Sequence, residues 1–258
     1  MGKGIVSVGC SYTWGEGLQF YADLPDTMFR ETHMFTIEDV RESHILFKNK
    51  NVFSTLVANH YNTWSYLQAK NGGSNMGNYK NHLPQLLDSN NDIRPEDIGL
   101  LIFQFTKPDR DYERYYNPNQ PYTLENQITI LDELFCKFEK KGIKVVTICW
   151  DEETSDNKLY LKLYNHRTVN FEIDGVTKSA YDYFILHDEY NMTVRSDFKN
   201  FKYQINDLHL NVKGHRFIAD SIIKKLEQDN FKINTRVDIT EEYITKNKQW
   251  HNQNLHLT

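Results

Sequence analysis

The sequence predicts an α/β fold built on a parallel sheet with helices on both faces, and three consecutive stretches carry that expectation. Residues 100–105 (LLIFQF) are apolar except for Gln104, as a strand buried on both faces must be. Residues 123–141 then place Ile128, Leu131, Leu134, Phe135 and Phe138 at helical spacing, with Gly142 where a C-cap is expected. Residues 143–149 (IKVVTIC) read as the next strand. A strand, a crossover helix and a second strand in this order make parallel neighbours in one sheet.

The other elements follow in chain order. Residues 3–9 (KGIVSVG) form a β-branched run closed by glycine, the pattern of a buried first strand that ends in a tight turn. Val52, Phe53, Leu56 and Val57 give residues 52–60 a helical face, and 62–69 is strand-like and leads through NGGSN to a helix starting near Asn75. Phe217, Ile218, Ile222 and Ile223 make 212–226 an amphipathic helix. Stretches 23–51 and 151–203 lack clear periodicity and read as insertions, the second with a weak strand candidate at 183–186. We expect one domain over residues 1–228 and a C-terminal extension over 229–258.

Composition bounds the function. A chain of 258 residues with 39% hydrophobic residues can build one sizeable core. Thirty Lys and Arg against thirty-five Asp and Glu give a net charge of -5, so no broad basic face is expected and nucleic acid is not the expected partner. The opening MGKGIVSVGC has neither a long apolar stretch nor a small-residue cleavage site, and nowhere do about 18 apolar residues run together. A cytoplasmic protein without a membrane span is the expectation. Cys10, Cys136 and Cys149 are too few and too scattered for a disulfide framework or a metal knuckle, which suits a reducing compartment. Aromatic residues make up 14%, and flat rings either stack on sugars or fill core and rim.

Three separated pieces carry chemistry. Gly9-Cys10-Ser11-Tyr12-Thr13 puts a serine just past the first strand, at the carboxyl edge where open α/β sheets place their sites. Its hydroxyl needs a nearby base to become a nucleophile, and an ordinary turn is the plainer reading of the motif alone. Asp207-Leu208-His209, in a non-helical segment, sets a histidine two residues from a carboxylate that could fix its tautomer, although exposed turn residues would look the same. The triplet also fits part of an iron facial triad, but no well-placed distal histidine completes one. Asn71-Gly72-Gly73-Ser74-Asn75 is a loop whose backbone N–H groups could face an anion, or a plain turn.

Taken together and in this order, the three pieces resemble the blocks of the SGNH (GDSL-like) serine hydrolases. Gly9 to Gly15 (GCSYTWG) is similar to the nucleophile block, with Cys10 where the family has Asp; residues 69–75 resemble the second block; Asp207, His209, Gly214 and His215 resemble the final one, with a single residue between Asp and His. The resemblance spans 4–226 and implies a flavodoxin-like three-layer α/β/α sandwich with no cofactor and no metal. It implies Ser11 as nucleophile, His209 as base, Asp207 as the orienting acid, and backbone N–H groups of Ser11 and Gly72, beside Gly73 and Asn75, around the oxyanion. The family's third block carries an Asn as a further donor, whereas here the strand runs into Thr106-Lys107-Pro108-Asp109-Arg110. Gln104 or Thr106 could replace that donor, and Arg110 could meet an anionic or sugar substrate.

The implied reaction is hydrolysis of a carboxylic ester, most plausibly a small acyl group such as acetate on a carbohydrate. The rival is a catalytically dead domain of the same type kept as a binding or assembly module, which the altered third block favours and the intact Ser11, His209 and Asp207 oppose. Oligomeric state is not legible.

Overall fold

In the computed structural model the described residues are 2–15, 18, 34–35, 42–69, 73–106, 124–150, 166–173, 176–178, 180–185, 187–192, 195–198, 201–202 and 207–233. The elements in chain order are β1 (Gly4–Gly9), α1 (Ser11–Trp14), β2 (Met34–Phe35), α2 (Glu42–Asn51), α3 (Phe53–His60), β3 (Ser65–Ala69), α4 (Asn75–Gly77), β4 (Ile98–Phe105), α5 (Leu124–Lys140), β5 (Lys144–Cys149), β6 (Phe171–Ile173), β7 (Val176–Lys178), α6 (Ala180–Ile185), β8 (Asn191–Met192), β9 (Arg195–Phe198), β10 (Phe201–Lys202), β11 (Asp207–Leu210) and α7 (Val212–Gln228). A π-helical turn, Asn78–His82, continues α4.

Four strands make the central sheet in the order β3-β1-β4-β5, and every pairing in it is parallel. Because side chains alternate along a strand, the sheet has two apolar faces. Val6, Val8, Leu101, Phe103, Phe105 and Val145 pack with Leu131, Phe135 and Phe138 of α5. Ile5, Leu100, Ile102, Val146 and Ile148 pack on the other face with Phe53 and Val57 of α3 and Ile218, Ile222 and Leu226 of α7. The result is the expected three-layer sandwich, with β4 buried along all eight residues. The chain leaves β1 for β3 on one side and returns to β4 on the other, so the strand order reverses between β1 and β4. Ligands of open α/β sheets bind outside the carboxyl ends of strands at such a reversal.

Beyond β5, among the described residues, one parallel bridge between Thr147 and Thr168 extends the sheet. Thr147 N–H donates to the Arg167 carbonyl, and Val169 N–H to the Thr147 carbonyl, each at 2.9 Å. Arg167 is buried and grips the Glu139 carboxylate of α5 through Nε at 2.8 Å and Nη2 at 2.7 Å, with Asp132 a further partner. This pairing holds the Glu139 carboxyl below its ordinary pKa, against the opposing effect of its partial burial.

Strand and helix positions agree with the sequence to within two residues, apart from the start of the second strand, which pairs only from Ser65. Two local expectations are corrected. Residues 42–51, inside the stretch without visible periodicity, form α2, whose Lys48 and Asn51 are buried with almost no apolar stripe. The strand candidate at 183–186 is instead helical through Ile185, because Ala180 and Phe184 are both buried one helical turn apart; Leu186 lies outside the described residues. No disulfide links the three cysteines. Among the described residues no helix is long and apolar enough to cross a membrane.

His215 of α7 ties two helices together. The first N–H groups of a helix lack partners within it, and the N-cap Val52 offers α3 no side-chain acceptor. His215 Nδ1 fills that role, accepting the Phe53 N–H at 3.3 Å while its ring stacks on Phe53 at 5.8 Å. An accepting Nδ1 must carry no proton. Burial lowers the His215 pKa from 6.5 to about 3, and the neighbouring His209 pushes in the same direction. Between these two values the unfolded chain binds a proton that the folded chain refuses, so stability falls as pH falls, by about 1.4 kcal/mol per unit. The unfolding free energy from urea titration should therefore drop between pH 6.5 and 5, above the range where carboxylates such as Glu139 take up protons. His215→Gln, which keeps an acceptor but no titrating ring, should flatten this slope; an unchanged slope would show that His215 does not set it.

Candidate active site

The serine is placed by a strand-to-helix turn at the reversal point. Cys10 follows β1 in an extended conformation (φ -112°, ψ -155°), and Ser11 opens α1. That helix lasts four residues and stops at Gly15, whose left-handed conformation (φ 74°) suits a residue without a Cβ and whose N–H closes onto the Ser11 carbonyl. Gly9 is required by close approach. A Cβ there would stand 2.1 Å from Thr13 Oγ1 and 2.9 Å from Gln104 Oε1, because a Thr13-to-Gln104 hydrogen bond passes directly over the glycine.

The histidine arrives from the other end of the chain. β11 pairs antiparallel with β8, and the next residue, Asn211, locks the exit into α7. Asn211 Oδ1 accepts the Gly214 N–H at 3.0 Å as the N-cap, its Nδ2 donates to the Glu189 carbonyl at 2.8 Å, and its own N–H donates to the Tyr190 carbonyl at 2.9 Å. Held in this way, His209 places Nε2 2.9 Å from Ser11 Oγ across 198 positions of sequence. Asp207 lies two residues earlier on the same strand; its side chain is outside the described residues. An imidazole nitrogen at hydrogen-bonding distance from a hydroxyl is the geometry in which the hydroxyl proton can be taken.

Carboxamides tie the surrounding strand ends together. Gln104 of β4 accepts from Thr13 Oγ1 and donates through Nε2 to Cys10 Sγ at 3.4 Å, so both ends of its amide bear on the turn that carries Ser11. Asn75, fully buried, pairs with the Thr106 peptide in both directions, Nδ2 to the carbonyl and N–H to Oδ1, each at 2.8 Å. The Thr106 hydroxyl also points to Asn75 Oδ1, at 3.4 Å. Asn78 Nδ2 reaches the Gly9 carbonyl at 3.4 Å. Since β3 and β4 flank β1, the segment after β3 crosses the end of β1 and joins all three strands beside Ser11. Ser74 steadies this segment by accepting the Gly77 N–H at 3.1 Å.

Of the residues expected at the site, the structure thus brings Ser11 and His209 into contact and sets Gln104, Thr106 and Asn75 in the framework around them. Gly73 is half-buried just before the Ser74 cap, while Gly72 and Arg110 lie outside the described residues. The sequence reading gave no role to Asn211, Asn78 or Thr13. Asn211 carried a usable signal, an Asn immediately before a helix, whereas the other two bond to partners that only the fold brings near. Among the described residues no group of three His, Cys, Asp or Glu side chains is arranged to hold a metal ion.

No family model matches the chain, and no curated protein matches it. Solved structures similar to it include a lipolytic protein of the G-D-S-L family from Desulfitobacterium hafniense, 11% identical over 87% of this chain and 99% of that one, TM-score 0.42. The psychrotrophic esterase EstA from Pseudoalteromonas sp. is 11% identical over 88% and 97%, TM-score 0.49. An acetyl xylan esterase from the rumen bacterium Butyrivibrio proteoclasticus is 12% identical over 88% of this chain but 64% of its own length, TM-score 0.47.

Proposed function

We propose that this chain is a serine ester hydrolase of the SGNH type, and the observation that carries the reading is the 2.9 Å approach of His209 Nε2 to Ser11 Oγ. In the proposed mechanism Ser11 Oγ attacks the ester carbonyl while His209 Nε2 takes its proton. The same imidazolium then protonates the departing alcohol. Water, deprotonated by His209, then attacks the acyl-serine, and the imidazolium returns that proton to Ser11 Oγ as the acid leaves. For Nε2 to accept, the proton of the neutral ring must sit on Nδ1, and the reading gives Asp207 the task of holding it there.

The oxyanion is assigned to backbone N–H groups, those of Ser11 at the first position of α1 and of Gly72. The bonds that Gln104 makes to Thr13 and Cys10, and Thr106 to Asn75, favour positioning roles for both rather than direct donation to the substrate. A small acyl group, such as acetate on a carbohydrate hydroxyl, is the proposed substrate class. Its support is the sequence resemblance.

Ser11 should react with a fluorophosphonate probe, and Ser11→Ala should lower turnover of a small acyl ester by about 10^4-fold or more. Wild-type protein that neither labels nor turns over a broad panel of acyl esters would leave the binding-module reading in its place. His209→Ala should lower turnover about as far as Ser11→Ala does, and a variant that keeps wild-type turnover would exclude His209 as the base. Gln104→Ala should lower kcat by about 10- to 100-fold with little change in KM, because a misplaced nucleophile costs turnover before binding; an unchanged kcat would remove Gln104 from the positioning framework.

A further inference from the structure

We infer that a cavity of about 180 Å³ on the outer edge of the sheet is a binding site for a single neutral sugar ring. It lies between β3 and residues 81–93, all described, and is separate from the Ser11–His209 contact. Its lining combines four carboxamides, Gln68, Asn81, Gln85 and Asn91, with the Asp92 carboxylate, the His82 imidazole and the Tyr66 and Ile93 side chains. Carboxamides present a donor and an acceptor side by side, a carboxylate accepts from hydroxyl groups, and none of these groups repels an uncharged polyol. Among the described residues no lysine or arginine lines the cavity, and its one basic side chain, His82, is accompanied by the Asp92 carboxylate, a balance that favours an uncharged ligand over a phosphate or carboxylate.

Gln68 supplies the independent observation. Only 5% of it is exposed, and it projects from β3 into the lining with Nε2 donating to Gln85 Oε1 at 3.2 Å. Its Oε1 is buried and has no hydrogen-bond partner among the described residues. Turning the amide over exchanges the two ends but still leaves one of them without a protein partner. A buried amide end left unsatisfied is costly, and a hydroxyl group, able to donate or accept, satisfies it in either orientation. In register Gln68 stands opposite Val8, one strand from the serine-bearing turn and at the same end of the sheet.

The test is binding of glucose, galactose and mannose, followed through the side-chain amide NMR signals of uniformly labelled protein. At least one hexose should shift the Gln68 amide signal, identified by its loss in Gln68→Leu, with a Kd of about 1–10 mM. Asn81→Ala and Asp92→Ala, at exposed positions that spare the core, should each weaken binding at least threefold, and Ser11→Ala should leave it unchanged. Absence of saturable shifts with all three hexoses up to 50-fold above about 1 mM would overturn the site. So would binding that ignores the Asn81 and Asp92 substitutions, or binding lost in Ser11→Ala. The readout does not depend on ester turnover, so an inactive protein that binds the hexose would fail the hydrolase reading and keep this one.

Discussion

The rest of the site depends on the parallel pairing of β1 with β4, two strands joined by a connection that first visits β3. This pairing creates the reversal in strand order, the position at the carboxyl edge where open α/β sheets place their sites. Ser11 stands there because β1 ends at Gly9 and the chain turns at once into a helix. Everything else at the site converges on that point: the histidine from the last strand, Gln104 from the end of β4, and Asn75 and Asn78 from beyond β3.

What converges is largely neutral. Gln104, Asn75, Asn78 and Asn211 each bond to backbone or to side chains in the framework around Ser11 and His209. Buried carboxamides of this kind carry no charge to desolvate, and each loses much of its stabilisation if a single partner shifts. Such a network makes for a site with one well-defined geometry. His215 stays uncharged for a separate reason, its full burial against Phe53 of α3.

Much of this was legible in the sequence. The strands were readable because parallel strands buried on both faces are continuously apolar, as LLIFQF is. The Ser11–His209 contact was foreshadowed because each residue sits at the boundary of a strongly patterned element. The fold also explains what stayed hidden. α2 has almost no apolar stripe, so periodicity could not reveal it, and α6 is short and aromatic, a composition that propensity assigns to strands. The roles of Gln104 and Thr106 were ambiguous because a carboxamide or hydroxyl at a strand end can face the substrate or brace the framework, and the decision rests on partners distant in sequence.

The short bracket at 167–169 has a consequence for how this protein behaves in company. A parallel sheet that ended at β5 would present a bare row of amide and carbonyl groups, the template on which strands of neighbouring molecules add. One bridge at Thr147 and Thr168 occupies that row, and the Arg167 grip on Glu139 keeps the bridge in place. Colloidal behaviour is thereby coupled to the ion pairs of Arg167 with Glu139 and Asp132. Loosening them would free the Thr147 edge for strand-to-strand association in a molecule whose core is still folded.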